Sequence, residues 1–399
     1  MRNIVLVAVI ASACGSADPP PARNPEQRSE DSAPAVVALQ SSRFDEAGRS
    51  AQRALVKDPR NARAAAVRAI STYRAAGNNF MNQIELVIQQ GDSLKALDHE
   101  KGRRVWSTFL ARLEEVDRDL SIVADDPTFS LELCLACWEH DWNRSGEIDD
   151  RDRKMFEVEF DGKGGELAAD DPRRRPTYHF DVGDAEWALA MIAFQRAAVE
   201  LVLAYKWSEL DQLFSGGDAK RIVIRIDDRA RVRRARTLIL AGLEHAGRCR
   251  TAYLAETDDD REWVPNPRQK SYAMPLEVDA LLYETWQGVL GDVRRMLESK
   301  EGISLREAKS IVDDDLDIKV PDIYIDLGAM LREPKDIVLD LAHMKSENVD
   351  AILREVLGNG YKKSMKPSPI VTRLRKMKDE LSRGEDTFDR KLRYLLWLN

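Results

Sequence analysis

One stretch of the sequence carries oxygen-bearing side chains at a spacing that could bind a metal ion. It runs from Asp141 to Asp152, and side-chain oxygens fall at its positions 1, 3, 5, 9 and 12. Gly146 stands at position 6, where a chain that wraps a small ion must turn sharply. Carboxylate, amide and hydroxyl oxygens are the hard donors that Ca²⁺ prefers. The spacing therefore favours a divalent cation, and Ca²⁺ in particular.

This order of residues resembles the calcium loop of an EF-hand, and a helix expected to open at Met155 and Phe156 makes it more similar to a dockerin-type half-site. The ligands that the resemblance implies are Asp141, Asn143, Ser145, Glu147 through its backbone carbonyl, Asp149 and Asp152. Asp152 is shorter than the bidentate Glu usual at position 12, so we expect a weak site, with a dissociation constant of about 10⁻⁴ to 10⁻³ M. The alternative is a turn rich in Asp and Asn that only caps two helices.

Two cysteines precede this loop. Cys134 and Cys137 lie on the apolar run Phe129–Trp138, which we expect to form a short helix, and His140 follows. In an exported protein such a pair can form a disulfide, remain as buried free thiols, or take part in metal or redox chemistry. All three possibilities stay open. Cys249 is left without a partner, and we expect it to be buried on its own helix.

Composition and charge limit the class of protein. With 399 residues the chain is longer than one hydrophobic core usually holds, so two or three packed units are expected. Its hydrophobic fraction of 43%, charged fraction of 33% and mean hydropathy of −0.44 are typical of a globular protein. The 61 basic and 69 acidic residues give a net charge of −8, which argues against nucleic acid as a partner.

Residues 1–14 are typical of an export signal. Arg2 provides a positive charge, and the apolar run Ile4–Ile10 is too short to span a bilayer. Small residues directly before Cys14 make this segment similar to a bacterial lipoprotein lipobox, which implies cleavage before Cys14 and acylation of its sulfur. The resemblance implies an exported protein, outer-membrane or periplasmic, that is held to the membrane through Cys14; a plain cleaved signal peptide is the alternative. Residues 15–34, rich in proline and charge, are predicted to form a disordered tether.

From residue 35 onward the pattern becomes helical and resembles a tetratricopeptide repeat, whose small residues let two helices pack closely. The residues that carry the resemblance are Phe44, Asp45, Glu46, Ala47, Ala51, Ala54, Leu55, Asp58, Pro59 and Asn61. The next helix, from Ala62, is expected to end at Gly77. The resemblance covers residues 35–90 and implies a helical-hairpin unit over residues 35–125 with a groove for a peptide. The alternative is an ordinary helical hairpin with alanines at the crossing.

The rest of the chain is also predicted to be mainly helical. Residues 126–172 would hold the short helix and the calcium-like loop, and residues 173–399 a larger C-terminal α-helical unit. Its longest helix is expected over Ala185–Phe214, with a cap formed by residues Asp181–Asp184. Apolar residues recur on most sides of this helix. Alternating runs at Tyr178–Phe180 and Ile222–Ile226 predict strands. The predicted fold class is therefore predominantly α with minor β content, a tetratricopeptide-like hairpin unit packed on a larger helical unit.

One predicted helix is rich in arginine. Asp227 and Asp228 are expected to cap it. Its arginines are Arg229, Arg231, Arg233, Arg234 and Arg236. Such a patch could bind nucleic acid or anionic lipid, but we expect acidic neighbours within this acidic protein to neutralise it.

No nucleophile with a nearby base rises above the background of this composition. We therefore expect a non-enzymatic lipoprotein of the cell envelope that acts as a protein-interaction scaffold, with an envelope protein as its partner and one weak structural calcium site. The alternative is a periplasmic enzyme, either a metal-dependent hydrolase or a thiol redox protein that uses Cys134 and Cys137.

Overall fold

The computed structural model of the chain describes residues 25–89, 98–161, 165–209, 221–256, 261–263, 266–269, 280–312, 321–340 and 348–381. The predicted signal peptide, the lipidation residue Cys14 and the C-terminal end beyond residue 381 lie outside the described residues.

The described residues are predominantly α-helical, which confirms the predicted fold class. The helices are α1 Pro25–Gln40, α2 Phe44–Lys57, α3 Ala62–Gln89, α4 His99–Ala124, α5 Asp150–Arg153, α6 Val182–Leu203, α7 Arg229–Ala255, α8 Ala280–Leu297, α9 Leu305–Val312, α10 Leu327–Arg332, α11 Val349–Leu357 and α12 Ile370–Leu381. Among these described helices, none is both long enough and apolar enough to cross a bilayer.

Short antiparallel strands pair segments that are far apart in the chain. The strands are β1 Leu131–Leu133, β2 Tyr178–Phe180, β3 Arg221–Ile224, β4 Ile303–Ser304, β5 Tyr324–Ile325, β6 Ile337–Asp340 and β7 Tyr361–Lys362. β1 pairs with β2, β3 pairs with β6, and β5 lies between β4 and β7. The predicted strands around residues 178–180 and 222–226 are thus present as β2 and β3.

Alanines let the first three helices pack closely. Ala38 in α1, Ala47 and Ala51 in α2, and Ala64 and Ala65 in α3 are completely shielded from solvent. Because an alanine side chain ends at Cβ, the backbones of the helices can approach until these positions touch. The small-residue spacing in the sequence therefore coincides with the contacts between helices.

Part of the predicted tether 15–34 is helical, because residues 25–34 form the first turns of α1. Arg28 holds this end of α1 to the turn between α2 and α3. Its Nε donates to Asp58 Oδ2 at 2.7 Å, and its carbonyl accepts from Asn61 Nδ2 at 2.8 Å. The prediction was wrong here because composition does not show partners that lie 30 residues away.

Two helices end at places other than those predicted. α3 continues through Gly77 and, at 28 residues, is the longest helix of the described chain. α6 ends at Leu203, well before Phe214, because the chain turns there. The carbonyl of Ala204 accepts from the backbone N–H groups of Asp227 and Asp228 at 2.7 and 3.1 Å. This return of the chain brings the start of α7 to the end of α6.

The segment Phe129–Trp138 is not the predicted helix. It contains β1 and a 3-10 turn at Leu135–Cys137. Within β1, Leu131 and Leu133 are buried while Glu132 is exposed, which is the alternation of a strand.

Helix α6 is central, as its apolar residues on most sides predicted, and it packs between α4 and α7. Aspartates cap α6 and α7 as expected. Asp181 Oδ1 accepts from the Gly183 N–H at 2.6 Å, and Asp228 Oδ1 accepts from the Ala230 N–H at 2.7 Å.

Candidate calcium loop and basic groove

The loop that begins at Asp141 makes its sharp turn at Gly146. This glycine has a φ of +95°, a conformation that disfavours any side chain. Both oxygens of the Asp141 carboxylate face the turn: Oδ1 accepts from the Ser145 N–H at 2.9 Å, and Oδ2 accepts from the Gly146 N–H at 2.8 Å. The glycine therefore lies where the spacing requires one.

The loop leaves the turn through a capping box. Asp149 Oδ1 accepts from the Asp152 N–H at 3.2 Å, and the Asp149 N–H donates to Asp152 Oδ2 at 2.9 Å. The helix that follows, α5, ends after four residues. Met155 and Phe156 therefore do not open the predicted helix, while the resemblance of the loop to a dockerin-type half-site stays a prediction.

The Asp152 carboxylate accepts hydrogen bonds from backbone N–H groups of the loop. Its Oδ1 accepts from the N–H groups of Trp142 at 2.7 Å and Asn143 at 3.0 Å, in addition to the bond from Asp149 to Oδ2. Only 2% of Asp152 is exposed. This buried side chain joins the two ends of the loop through its hydrogen bonds. The structure does not fit its predicted role as the calcium ligand at position 12.

The other predicted ligands lie on the exposed side of the loop. Asn143 Nδ2 donates to Asp149 Oδ2 at 3.3 Å, and Ser145 Oγ donates to the Glu147 carbonyl at 2.8 Å. Across the described ranges, no three His, Cys, Asp or Glu side chains converge as metal ligands would. The donor set around Asp141 thus fits Ca²⁺ in chemistry and only in part in geometry.

The loop is fixed to the N-terminal helices. The Trp142 ring packs edge-on against Phe156 at 5.3 Å between centroids and lies 6.5 Å from Phe44 of α2. Arg144 Nη1 donates to Asn82 Oδ1 of α3 at 2.9 Å. Trp142 therefore anchors the loop to α2, and Arg144 anchors it to α3.

Cys134 and Cys137 form a disulfide, with their Cα atoms 5.2 Å apart, in the turn after β1. His140 contacts Arg74, whose Nη2 lies 2.8 Å from the His140 Nδ1. Burial, together with the charge of Arg74, lowers the pKa of this imidazole, so it is neutral and can accept. Cys249 is buried, and burial raises the pKa of its thiol.

A groove runs along α2, α3 and α4, and it consists of three adjoining cavities that share lining residues. The central cavity, of about 560 Å³, shares Phe44 and Arg49 with a cavity of about 330 Å³ at one end. It shares Asn79 and Val105 with a cavity of about 390 Å³ at the other end. We call the joint surface of these three cavities, on α2 with the turn before it, α3 and α4, the basic groove.

The basic groove is positively charged on an acidic chain. Six basic and two acidic side chains line it, a formal charge of +4, whereas the whole chain carries −8. They are Arg43, Arg49, Arg74, Lys101, Arg104 and Arg112, with Asp45 and Glu46. A cleft lined by one sign of charge concentrates ions of the other sign.

Arg74 sits half-buried in the wall of this groove. Its guanidinium carbon lies 3.8 Å from the centroid of the Phe44 ring, and its Nη2 contacts the neutral His140. Its Nε is buried and has no hydrogen-bond partner among the described residues. Burial removes water from this guanidinium and lowers the pKa of Arg74, and the charge of Asp45 offsets the effect only in part. No carboxylate of the described chain forms an ion pair with Arg74.

Sequence reasoning did not single out Arg49 and Arg74. They lie on different helices, and no spacing in the sequence shows that the two helices bring them to one cavity. Asp45 stands four residues before Arg49, an arrangement that predicts an ion pair on the helix surface. The sequence signal therefore points away from the unpaired arginine that the structure contains.

Comparison with known proteins assigns the chain to no family. No protein-family model, no curated protein and no solved structure matches it. The resemblances to a tetratricopeptide repeat, an EF-hand loop and a lipobox remain predictions from spacing. A function for the chain must come from the geometry of its own residues.

Proposed function

We propose that this protein is an envelope-anchored lipoprotein that acts as a non-enzymatic protein-interaction scaffold. Its helical body binds a polypeptide segment of an envelope partner in the basic groove. The observation that supports this proposal most strongly is the row of three adjoining cavities along α2, α3 and α4, which share lining residues. A continuous cleft suits an extended segment better than a compact small molecule.

The lining of the groove supplies both kinds of contact that a polypeptide makes. Phe80 and Phe109 offer an apolar surface, with ring centroids 4.8 Å apart. Thr72 and Thr108 line the central cavity and bring hydroxyl groups to it. A hydroxyl group can both donate to and accept from the backbone of a bound segment.

Site-specific photo-crosslinking in producing cells tests the scaffold function. A photoreactive amino acid replaces Thr72 in the groove or, as the control, the exposed Thr237 on α7. We expect a discrete ultraviolet-dependent adduct with another protein from position 72 and none from position 237. Equal adducts from both positions, or none from the groove, would contradict the proposal.

Anchoring through the acylated Cys14 is part of the same proposal, and it is supported by the lipobox resemblance of residues 1–14. Replacing the cysteine, Cys14→Ser, removes the acyl acceptor. The variant is expected in the soluble fraction after cell lysis, while the wild-type chain sediments with membranes. A variant that stays with the membranes would refute lipid anchoring.

Weak binding of Ca²⁺ completes the proposal. Asp141, Asn143, Ser145, the Glu147 carbonyl and Asp149 would hold the ion, and Asp152 would keep the loop closed behind them. At ten times its dissociation constant, Ca²⁺ would stabilise the fold by about 1.4 kcal/mol.

Melting curves with and without millimolar Ca²⁺ test the ion site. The double variant Asp141→Ala with Asp149→Ala should lose the calcium-dependent rise in melting temperature. Asp150→Ala, at an exposed position of the same loop that is not a predicted ligand, should keep it. A rise that survives in the double variant would show that the cation binds elsewhere.

A further inference from the structure

We infer that the partner segment is acidic, and that one of its carboxylates binds between Arg49 and Arg74 at the end of the basic groove. This inference rests on the proposed scaffold function and adds to it the chemistry of the partner. Both arginines line the cavity of about 330 Å³, and they come from α2 and α3. A carboxylate there would accept from two guanidinium groups at once.

The half-buried Arg74, whose charge has no counter-charge beside it among the described residues, is the main reason for placing a carboxylate here. A guanidinium that leaves bulk water loses hydration, which a counter-charge normally replaces. Here the replacement consists of the Phe44 ring and a neutral imidazole, His140, neither of which carries negative charge. The nearby Asp45 favours the charged form of Arg74 through space but makes no ion pair with it.

Arg49 supplies the second donor. It is exposed, lines both the central and the end cavity, and has no hydrogen bond or ion pair within the part of the chain that the structure describes. Two other groove arginines are already engaged, Arg43 with Glu46 at 3.0 Å and Arg112 with Glu115 at 2.7 Å. The two groove arginines without a carboxylate partner in the described chain, Arg49 and Arg74, therefore line the same end cavity, where Asp45 and Glu46 are the acidic side chains.

Several features of the groove favour an acidic polypeptide over an anionic lipid surface. The basic side chains continue beyond the arginine pair to Lys101 and Arg104 in the third cavity. Between the two ends lie the Phe80 and Phe109 rings, which a flat layer of head groups would leave unused. A segment with alternating acidic and apolar side chains uses both surfaces.

Peptide binding to the purified full-length protein tests this inference. The probe is a fluorescein-labelled peptide of twelve residues with Glu at every second position and Ser or Leu elsewhere; the matched probe carries Gln in place of each Glu. We expect the acidic probe to bind more tightly and to weaken as sodium chloride rises. Arg49→Gln should weaken its binding by roughly tenfold, because a charge-assisted hydrogen bond is lost.

Two further variants separate charge from shape. Arg49→Lys keeps the positive charge and is expected to retain most of the affinity. Arg118→Gln removes an exposed arginine of α4 that lies outside the groove, and it should leave binding unchanged. Since Arg49 is exposed, its replacement is not expected to disturb folding, which the melting temperature of each variant confirms.

The possible failures are distinguishable. Equal binding of the acidic and the Gln probe would overturn the acidic-partner inference and leave the scaffold function standing. Binding to vesicles that contain phosphatidylglycerol, lost in Arg49→Gln and without peptide binding, would replace the peptide with a membrane surface. Binding of neither peptide also overturns the inference, and the crosslinking at Thr72 then decides the scaffold function independently.

Discussion

Two arginine-rich surfaces of this molecule differ in what their guanidinium groups contact. On α7, Arg231 Nη1 lies 2.7 Å from one oxygen of Glu200, and Arg234 Nε lies 3.0 Å from the other. In the basic groove, Arg49 and Arg74 have no carboxylate partner in the described chain. Arg231 and Arg234 of α7 are thus neutralised by an acidic neighbour, as the sequence suggested, while Arg49 and Arg74 are open to an outside anion.

A high density of arginine on a surface therefore does not by itself identify an anion site. Other arginines of α7 are engaged as well, since Arg233 Nε donates to the Arg332 carbonyl at 3.4 Å and Arg236 Nε to the Leu297 carbonyl at 3.1 Å. An arginine beside a buried carboxylate is part of the fold, whereas one without a counter-ion is available to a ligand. Pairing therefore separates structural arginines from candidate binding arginines.

The largest effect should come from removing a buried partner in the C-terminal part of the chain. Asp292 is fully buried and is paired with Arg295 and Arg373. Asp292→Ala leaves Arg373 without a counter-charge and Arg295 with Glu301 alone, and we expect it to lower the free energy of unfolding by about 3 kcal/mol. Urea denaturation measures this. The exposed pair of Asp322 and Arg306 gives the control, since Asp322→Ala should cost less than about 0.5 kcal/mol.

A smaller loss of stability is expected when Arg231 and Arg234 of α7 lose the carboxylate that they share. Glu200→Gln keeps the shape of the side chain but removes the charge that Arg231 and Arg234 share. The free energy of unfolding should fall by about 1–2 kcal/mol, and the acidic peptide should begin to bind α7 weakly. Glu46→Gln, which breaks an exposed pair in the groove, serves as the comparison and should change stability little. An unchanged free energy of unfolding in Glu200→Gln would mean that the ion pairs of Glu200 with Arg231 and Arg234 do not stabilise the fold.

A buried carboxyl group without a basic partner in the described chain should make the stability of the fold depend on pH. Burial, then the charges of Glu262, Asp181 and Asp184, raises the pKa of Glu256 to about 9. The folded state therefore holds this proton more tightly than the unfolded state, so stability falls as the pH rises from about 4.5 towards 9.

Glu256→Gln removes this titration, because glutamine resembles the protonated acid. Between pH 5 and pH 8 the wild-type chain should lose on the order of 1 kcal/mol more stability than the variant. Thermal unfolding across this range checks the result, with the exposed Glu244→Gln as the control. Parallel pH profiles for the wild type and Glu256→Gln would show that Glu256 is ionised in the fold.

The smallest effect on stability should come from the groove itself. Arg49→Gln removes a side chain that contacts no partner in the described structure, and the expected change in unfolding free energy is below about 0.5 kcal/mol. Denaturation in urea measures it. A loss comparable with that of Glu200→Gln would mean that Arg49 has a structural partner and is not free for a ligand.

Local signals in the sequence predicted a large part of the fold. Helix periodicity and capping aspartates gave the class and the starts of α6 and α7, where Asp181 and Asp228 accept from the first free amides. The strand β1 was missed because its three residues lie within an apolar run and their partners begin at residue 178. Its alternation appears only once Tyr178 and its neighbours pair with it.

The candidate sites were less predictable than the fold. The spacing of the loop predicted the turn at Gly146 and the acceptor role of Asp141, but a spacing rule cannot tell that Asp152 points to backbone amides. The groove depends on contacts among three helices. Arg49 and Arg74 are 25 residues apart in the sequence. Whether either has a carboxylate partner depends on how the helices pack, which no local pattern shows.

The most direct test of the account is a nuclear magnetic resonance titration of arginine side chains with the acidic peptide. The Nε–Hε signals of Arg49 and Arg74 should shift together and saturate at one peptide concentration, while those of Arg231 and Arg234, held by Glu200, should stay in place. Shifts on α7, or unchanged signals from the groove at saturating peptide, would contradict the claim that Arg49 and Arg74 bind the acidic segment.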